Sequence, residues 1–208
     1  MSEINWLDAQ SIITVGGFLL IALTVFAESG IFFLFFLPGD YLLFSAGLLC
    51  SPKLGVLPTP IHILCLTLFA AAVLGNFTGY FFGKYLGHTL ENRKENFFFK
   101  KQYIHNTRAV FEKHGGVALV VARFLPVVRT FAPILAGITR LNWLTFTVFN
   151  MLGAAIWVLG LCLAGYYLGE AVGSSILEYL HYIIFGFIGV TGIIAINGFR
   201  RLGRKKKD

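Results

Sequence analysis

The chain has 208 residues, 57% of them hydrophobic and 13% charged, with a mean hydropathy of +0.76. That composition lies outside the soluble globular range and points to an integral membrane protein. The formal charge of +7 does not argue for nucleic acid, because the basic residues flank apolar segments: Lys84, Arg93, Lys94, Lys100, Lys101, Arg108 and Lys113 in one stretch, and Arg200, Arg201, Arg204, Lys205, Lys206 and Lys207 in the tail. Lys and Arg so placed mark the cytoplasmic side and meet anionic headgroups.

Glu3 and Asp8 precede the first apolar run without any base, unlike the n-region of a cleaved secretory signal, so that run is expected to stay in the protein. A spanning helix takes ~20 apolar residues. Residues 11–49 are too long for one crossing and short for two, and their break at Pro38-Gly39 lies beside an acid, Asp40. We read a transmembrane helix over 11–27 and a re-entrant hairpin over 28–50. A transmembrane helix over 61–83 follows, then a basic, amphipathic cytoplasmic segment over 84–115, in which Phe97-Phe98-Phe99 before Lys100-Lys101 suits either the membrane interface or a solvated helix. Apolar sequence broken by Pro126 and Pro133 reads as a second hairpin over 116–137. Transmembrane helices over 142–168 and 176–199 and a basic tail over 200–208 complete the chain as one membrane domain. Irregular backbone at membrane depth must be buried in protein or line a watery cavity, so a cavity is implied.

The basic residues give a consistent orientation. With the tail cytoplasmic, residues 169–178, which hold Glu170 and Glu178 and no base, fall outside. Arg140 and the Lys84–Lys113 loop fall inside, and residues 51–60 fall outside with the single base Lys53. Both termini are then cytoplasmic. The first hairpin enters from outside and the second from inside.

That arrangement is an inverted repeat, and the sequence carries its traces. Phe36-Leu37-Pro38 running to Ala46-Gly47 matches Phe124-Leu125-Pro126 running to Ala136-Gly137. The segment from Gly79-Tyr80 through Gly83-Lys84-Tyr85-Leu86-Gly87 resembles Gly165-Tyr166-Tyr167-Leu168-Gly169, with Gly75-Asn76 before one and Asn150 and Gly153 before the other. Glycine-rich apolar helices also look alike by composition alone. Broken helices in inverted repeats nevertheless mark transporters, whose halves rock around a shared site. The expected fold is an all-α polytopic membrane protein, an inverted repeat of re-entrant helical hairpin plus transmembrane helix, with further transmembrane helices at both ends.

The first copy holds Glu28 and Asp40, the second Arg123 and Arg129. Each charge at the centre of a spanning helix costs ~3 kcal/mol on insertion scales, so the four must be paired or hydrated. The arginine forks suit phosphate oxygens, and hairpin helix termini can add N–H groups. The acids suit proton coupling, in which protonation frees an arginine for phosphate and deprotonation returns it to its acid. In the structural alternative, two buried Arg–carboxylate pairs merely pin the hairpins together. Pro38, Gly39, Pro126 and Pro133 are read as the hairpin breaks.

Other residues read more plainly. Cys50, Cys65 and Cys162 fit neither a disulfide framework nor a metal site and are taken as small apolar fillers. Trp143 and Trp157 are taken as interface and packing residues. His62, His88, His105, His114 and His181 lack the spacing of a helical metal pair, and His114 beside Gly115-Gly116 suits a helix end. No Gly-x-Ser-x-Gly elbow, His-Glu-x-x-His or phosphatase-like cluster is present, so no catalysis, metal or cofactor is expected.

Glu28 ahead of Pro38-Gly39-Asp40 and Leu42-Leu43-Phe44-Ser45-Ala46-Gly47 resembles the first motif of the DedA family. His114-Gly115-Gly116, then Ala122-Arg123-Phe124-Leu125-Pro126-Val127-Val128-Arg129-Thr130-Phe131-Ala132-Pro133 and Ala136-Gly137, resembles its second. The resemblance implies a multi-pass protein of the bacterial inner membrane, related to eukaryotic lipid scramblases of the same domain. It also implies lipid movement between leaflets, notably the return of undecaprenyl phosphate to the cytoplasmic leaflet, with links to proton-motive force and envelope integrity. By their places in the motifs, Glu28, Asp40, Arg123 and Arg129 match the family's required acids and arginines.

Three readings are therefore carried forward. The first is a lipid transporter whose partners are membrane lipids and protons, not nucleic acid, with homo-oligomerisation left open. The second is a proton-coupled ion or small-solute transporter, and the third a non-transporting assembly factor. A lateral opening between the hairpins favours lipid, a sealed vestibule favours ions, and a solid core favours assembly.

Overall fold

The computed structural model describes residues 9–31, 39–91, 109, 111 and 113–173. The expected helix over 176–199, the basic tail, Pro38 and most of the basic segment lie outside these residues. Among the described residues the chain is all-helical, with no strand: α1 (Ala9–Gly30), α2 (Gly39–Leu49), α3 (Ile61–Glu91), α4 (Val117–Arg123), α5 (Pro126–Ile138) and α6 (Trp143–Val172).

Two of these helices are long and apolar enough to cross a bilayer, Ile61–Gly87 within α3 and all of α6. Local signals set their ends. The Asn142 side chain accepts from the backbone N–H groups of Leu144 at 2.9 Å and Thr145 at 3.3 Å, capping α6 where its first turn has no helical partners. Gly173, at φ +67°, takes the left-handed conformation that closes the same helix.

Each of the two Pro-containing stretches contributes two helices among the described residues. α1 continues through Glu28 to Gly30, so that acid stands on the last turns of a helix and not in the segment after it. Gly39 opens α2. In the second stretch α4 ends at Arg123, Leu125 is extended, and Pro126 occupies the first turn of α5, where its missing N–H costs nothing. Pro133 lies inside α5, which runs on through it to Ile138, so the interruption falls at Phe124-Leu125 alone.

The helices join through two matching seams. α2 packs along α6 and α5 along α3. A methyl on Gly165 would meet the Phe44 carbonyl and lie 2.9 Å from Leu48 N, and one on Gly47 would meet the Cys162 carbonyl. In the other seam, a methyl on Gly83 would meet the Ile134 carbonyl, and one on Gly137 would meet the Tyr80 carbonyl and lie 2.7 Å from Lys84 N. Contacts this close require small residues, the packing device of membrane helices. They also fix the register of the repeat: Gly47 answers to Gly137, and Gly165 and Gly169 answer to Gly83 and Gly87. Glycines seat α1 on α3 as well, since a methyl on Gly30 would lie 2.7 Å from Gly75 O.

Apolar side chains fill the space around the seams in two clusters. One gathers Val25, Leu43, Leu64, Leu68, Ala72 and Val158 with all three cysteines, which are free and buried. The other gathers Tyr80, Leu119, Ala122, Ala136 and Phe146, with the Tyr80 ring stacked on Phe146 at 4.3 Å and its hydroxyl donating to Leu141 O at 2.7 Å.

Candidate functional site

The four charged residues set in apolar sequence meet, but not as two pairs. Arg129, in the first turns of α5, donates through Nη2 to Glu28 Oε1 on α1 and through Nη1 to Asp40 Oδ1 in the first turn of α2. The planar guanidinium fork reaches two carboxylates at once, which an ammonium could not do in a fixed plane. Three helices are thereby tied by one side chain.

Glu28 is 1% exposed, and its Oε2 has no hydrogen-bond partner among the described residues. Its carboxyl lies against Gly39, where any Cβ would overlap it. Gly39 therefore does more than break a helix, since its missing side chain makes room for the acid at the start of α2. The placement suits the charge, because helix N-termini present unpaired N–H groups and a positive dipole end.

Arg123 has no carboxylate within ion-pair distance among the described residues, although it is only 7% exposed. Its Nη1 donates to the Asn150 carbonyl at 3.1 Å and to Asn150 Oδ1 at 3.4 Å. Asn76 stands beside it. With its amide oxygen toward the guanidinium, Asn76 accepts from Arg123 Nη2 at 2.8 Å and donates to Ser29 O at 3.0 Å, and turned the other way it donates to Asn150 Oδ1 at 2.7 Å. Asn150 in turn donates through Nδ2 to Val73 O at 3.3 Å. These neutral groups leave the Arg123 charge uncompensated at close range. Two acids and two bases nonetheless sum to zero over the site.

Trp157 on α6 completes the constellation. Its indole N–H donates to Asp40 Oδ1 at 2.7 Å, and the guanidinium carbons of Arg129 and Arg123 lie 5.0 and 5.5 Å from its ring centre, within cation–π range. A cavity of about 240 Å³ opens beside it, lined by Asp40, Arg123, Phe124, Ile156, Trp157, Gly160 and Leu161. Phe124 and Ile156 are themselves more than half exposed, so the mouth of the cavity is apolar while its inner wall carries the charges. A second space of about 10 Å³ lies among Asn76, Arg123, Arg129 and Asn150, room for about one water.

The sequence reading placed Glu28, Asp40, Arg123 and Arg129 among the site residues, and all four are found here. It took Asn76 and Asn150 only as markers of the repeat, and Trp157 only as packing. Polar amides within apolar helices were the signal available for the asparagines; Trp157 offered none. Among the described residues no group of three or more His, Cys, Asp or Glu side chains is placed to hold a metal ion.

The VTT domain matches residues 37–167, a span holding Gly47, Gly83, Gly137 and Gly165 of the two seams and Asp40, Asn76, Arg123, Arg129, Asn150 and Trp157 of the site. The chain is similar to Protein DedA of Escherichia coli (strain K12), 36% identical over 182 residues that cover 86% of this chain and 81% of that protein. It is similar also to an uncharacterized membrane protein of Mycobacterium tuberculosis, 38% identical over 170 residues covering 82% and 74%. A third relative is the inner membrane protein YqjA of Escherichia coli (strain K12), 38% identical over 146 residues covering 70% and 64%. No solved structure matches the chain at a significant level. With two helices able to span a bilayer and relatives named as bacterial membrane proteins, the chain belongs to the DedA family of VTT-domain membrane proteins.

Proposed function

We propose that this protein moves a phosphate-bearing lipid, undecaprenyl phosphate or another phospholipid, between the leaflets of the bacterial inner membrane, by an exchange of arginine partners coupled to protonation. The observation that carries the reading is Arg123, a buried guanidinium with no carboxylate partner among the described residues, on the wall of a cavity whose mouth is apolar. A phosphate ester on a long chain has the matching form, a doubly or singly charged head on a hydrocarbon tail. Fork donors bind such a head strongly where water is sparse.

Arg129 has a different part. Held between Glu28 and Asp40, it is occupied at rest. Protonation of either acid loosens that hold, so a second guanidinium becomes available as the headgroup advances, and deprotonation withdraws it. The two helix-break-helix stretches are read as re-entrant hairpins, entering from opposite sides and meeting at this site, with both termini cytoplasmic. No bond in the lipid is made or broken. A cavity with exposed apolar residues at its mouth favours lipid over a small ion, whose path would be narrow and closed to the apolar phase.

The test is leaflet-resolved movement of undecaprenyl phosphate in proteoliposomes under two imposed pH gradients, comparing wild type with Arg123→Gln and Asp40→Asn. Movement that responds to the gradient in wild type, falls about tenfold or more in Arg123→Gln as a charged hydrogen bond is lost, and no longer responds in Asp40→Asn is the expected result. A folded wild-type protein that moves neither this lipid nor phosphatidylglycerol would overturn the reading.

A further inference from the structure

Trp157 joins two parts of the site that are otherwise separate. On one side its indole N–H shares Asp40 Oδ1 with Arg129 Nη1, so it belongs to the network that ties α1, α2 and α5. On the other it walls the cavity with Arg123, Phe124 and Ile156. Its ring is held against both guanidinium groups. If the role of this side chain were only to fill space, an aliphatic residue would serve; an N–H donor aimed at a carboxylate already bound to arginine asks for another explanation.

We infer that Trp157 is a positioning residue that passes occupancy of the cavity by an anionic amphiphile to the Arg129 network. This rests on the lipid reading above and adds to it the part that senses the lipid. A phosphate drawn to Arg123 takes up the guanidinium charge and weakens its attraction to the indole ring. The ring then turns, and because a hydrogen bond weakens steeply as it bends, Asp40 Oδ1 loses its N–H donor. Asp40 is left with Arg129 as its partner at that oxygen, and the balance among Glu28, Asp40, Arg123 and Arg129, the charged groups that face the indole, shifts when the headgroup arrives. Arrival of the headgroup at Arg123 thereby changes the hold of Asp40 on Arg129.

The experiment uses the full chain with Trp6→Phe and Trp143→Phe, which leaves Trp157 as its sole tryptophan. Dodecyl phosphate serves as the probe, its binding measured independently by equilibrium dialysis in a neutral detergent. The expected result is a saturable change in Trp157 emission with the same midpoint as binding. In a second arm, Trp157→Phe keeps an aromatic wall and loses the donor; probe binding should hold while undecaprenyl phosphate transfer slows about tenfold, as for loss of one charged hydrogen bond, and Trp157→His, which restores an N–H, should recover part of the rate. If dodecyl phosphate does not bind the wild type, the lipid reading fails and this inference with it. If it binds and Trp157 emission does not change, or if Trp157→Phe transfers lipid at the wild-type rate or loses binding and transfer in equal measure, the positioning role is overturned and the lipid reading stands.

Discussion

Arg129→Ala is expected to destabilise the protein by about 3–5 kcal/mol, the range seen when one partner of a buried ion network is removed and the others are left behind. Glu28 is 1% exposed and would keep a carboxylate with no partner from the arginine, while Asp40 would retain only the Trp157 N–H among the bonds described at its Oδ1. The free, buried thiols of Cys50, Cys65 and Cys162 supply the readout, since a thiol-reactive dye labels them only as the protein unfolds on heating in detergent. Adding Glu28→Gln and Asp40→Asn to Arg129→Ala should recover most of the loss, because no carboxylate is then left buried without its guanidinium, while Arg123 keeps its bonds to Asn150. An Arg129→Ala protein that labels at the wild-type temperature would show that the network contributes nothing to stability. The triple variant separates the two uses of the network, for it should fold and yet fail to move lipid.

Gly137→Val and Gly165→Val are the next most damaging changes. Each places a branched side chain where a single methyl would already overlap a carbonyl of the facing helix, the Tyr80 carbonyl in one seam and that of Phe44 in the other. Backbone cannot give way as a side-chain tip can, so the helices must part, and a cost of about 3 kcal/mol or more is expected from overpacking. Gly17→Ala is the matched control. No atom stands within 4 Å of a methyl at that position, and alanine there should gain up to ~1 kcal/mol of helix propensity. The yield of monodisperse protein and the same thiol-labelling temperature would decide the matter. Equal behaviour of Gly137→Val and Gly17→Ala would mean that the seams are looser than the close approaches indicate.

Much of this architecture is legible in the sequence, for a physical reason. Charge within apolar sequence is so unfavourable that Glu28, Asp40, Arg123 and Arg129 stood out without a partner in view, and apolar length alone marked α3 and α6. Partner choice was not legible. Arg129 lies 101 residues from Glu28 and 89 from Asp40, and nothing local to any of them says that one fork will take both acids while Arg123 turns to amides. The end of α1 was also hidden, because the contact of Gly30 with Gly75 that accompanies its last turn, past residue 27, is tertiary. Pro133 misled for the opposite reason. Proline removes one helical hydrogen bond, but a helix already started by Pro126 and packed along α3 can carry that defect. Trp157 was taken for packing because an indole in an apolar helix gives no sign, from sequence, of what its N–H will meet.

The two glycine seams bear on how the chain comes to be one object. α2 belongs by sequence with α3, yet its groove is on α6; α5 belongs with α6, yet its groove is on α3. The halves are therefore interlocked, in the manner of a domain swap carried out within a single polypeptide. Each half thus buries one of its small-residue faces only on the other, α2 on α6 and α5 on α3. If lipid moves as proposed, the units that shift are mixed ones, α2 with α6 and α5 with α3, each drawn half from the first copy and half from the second.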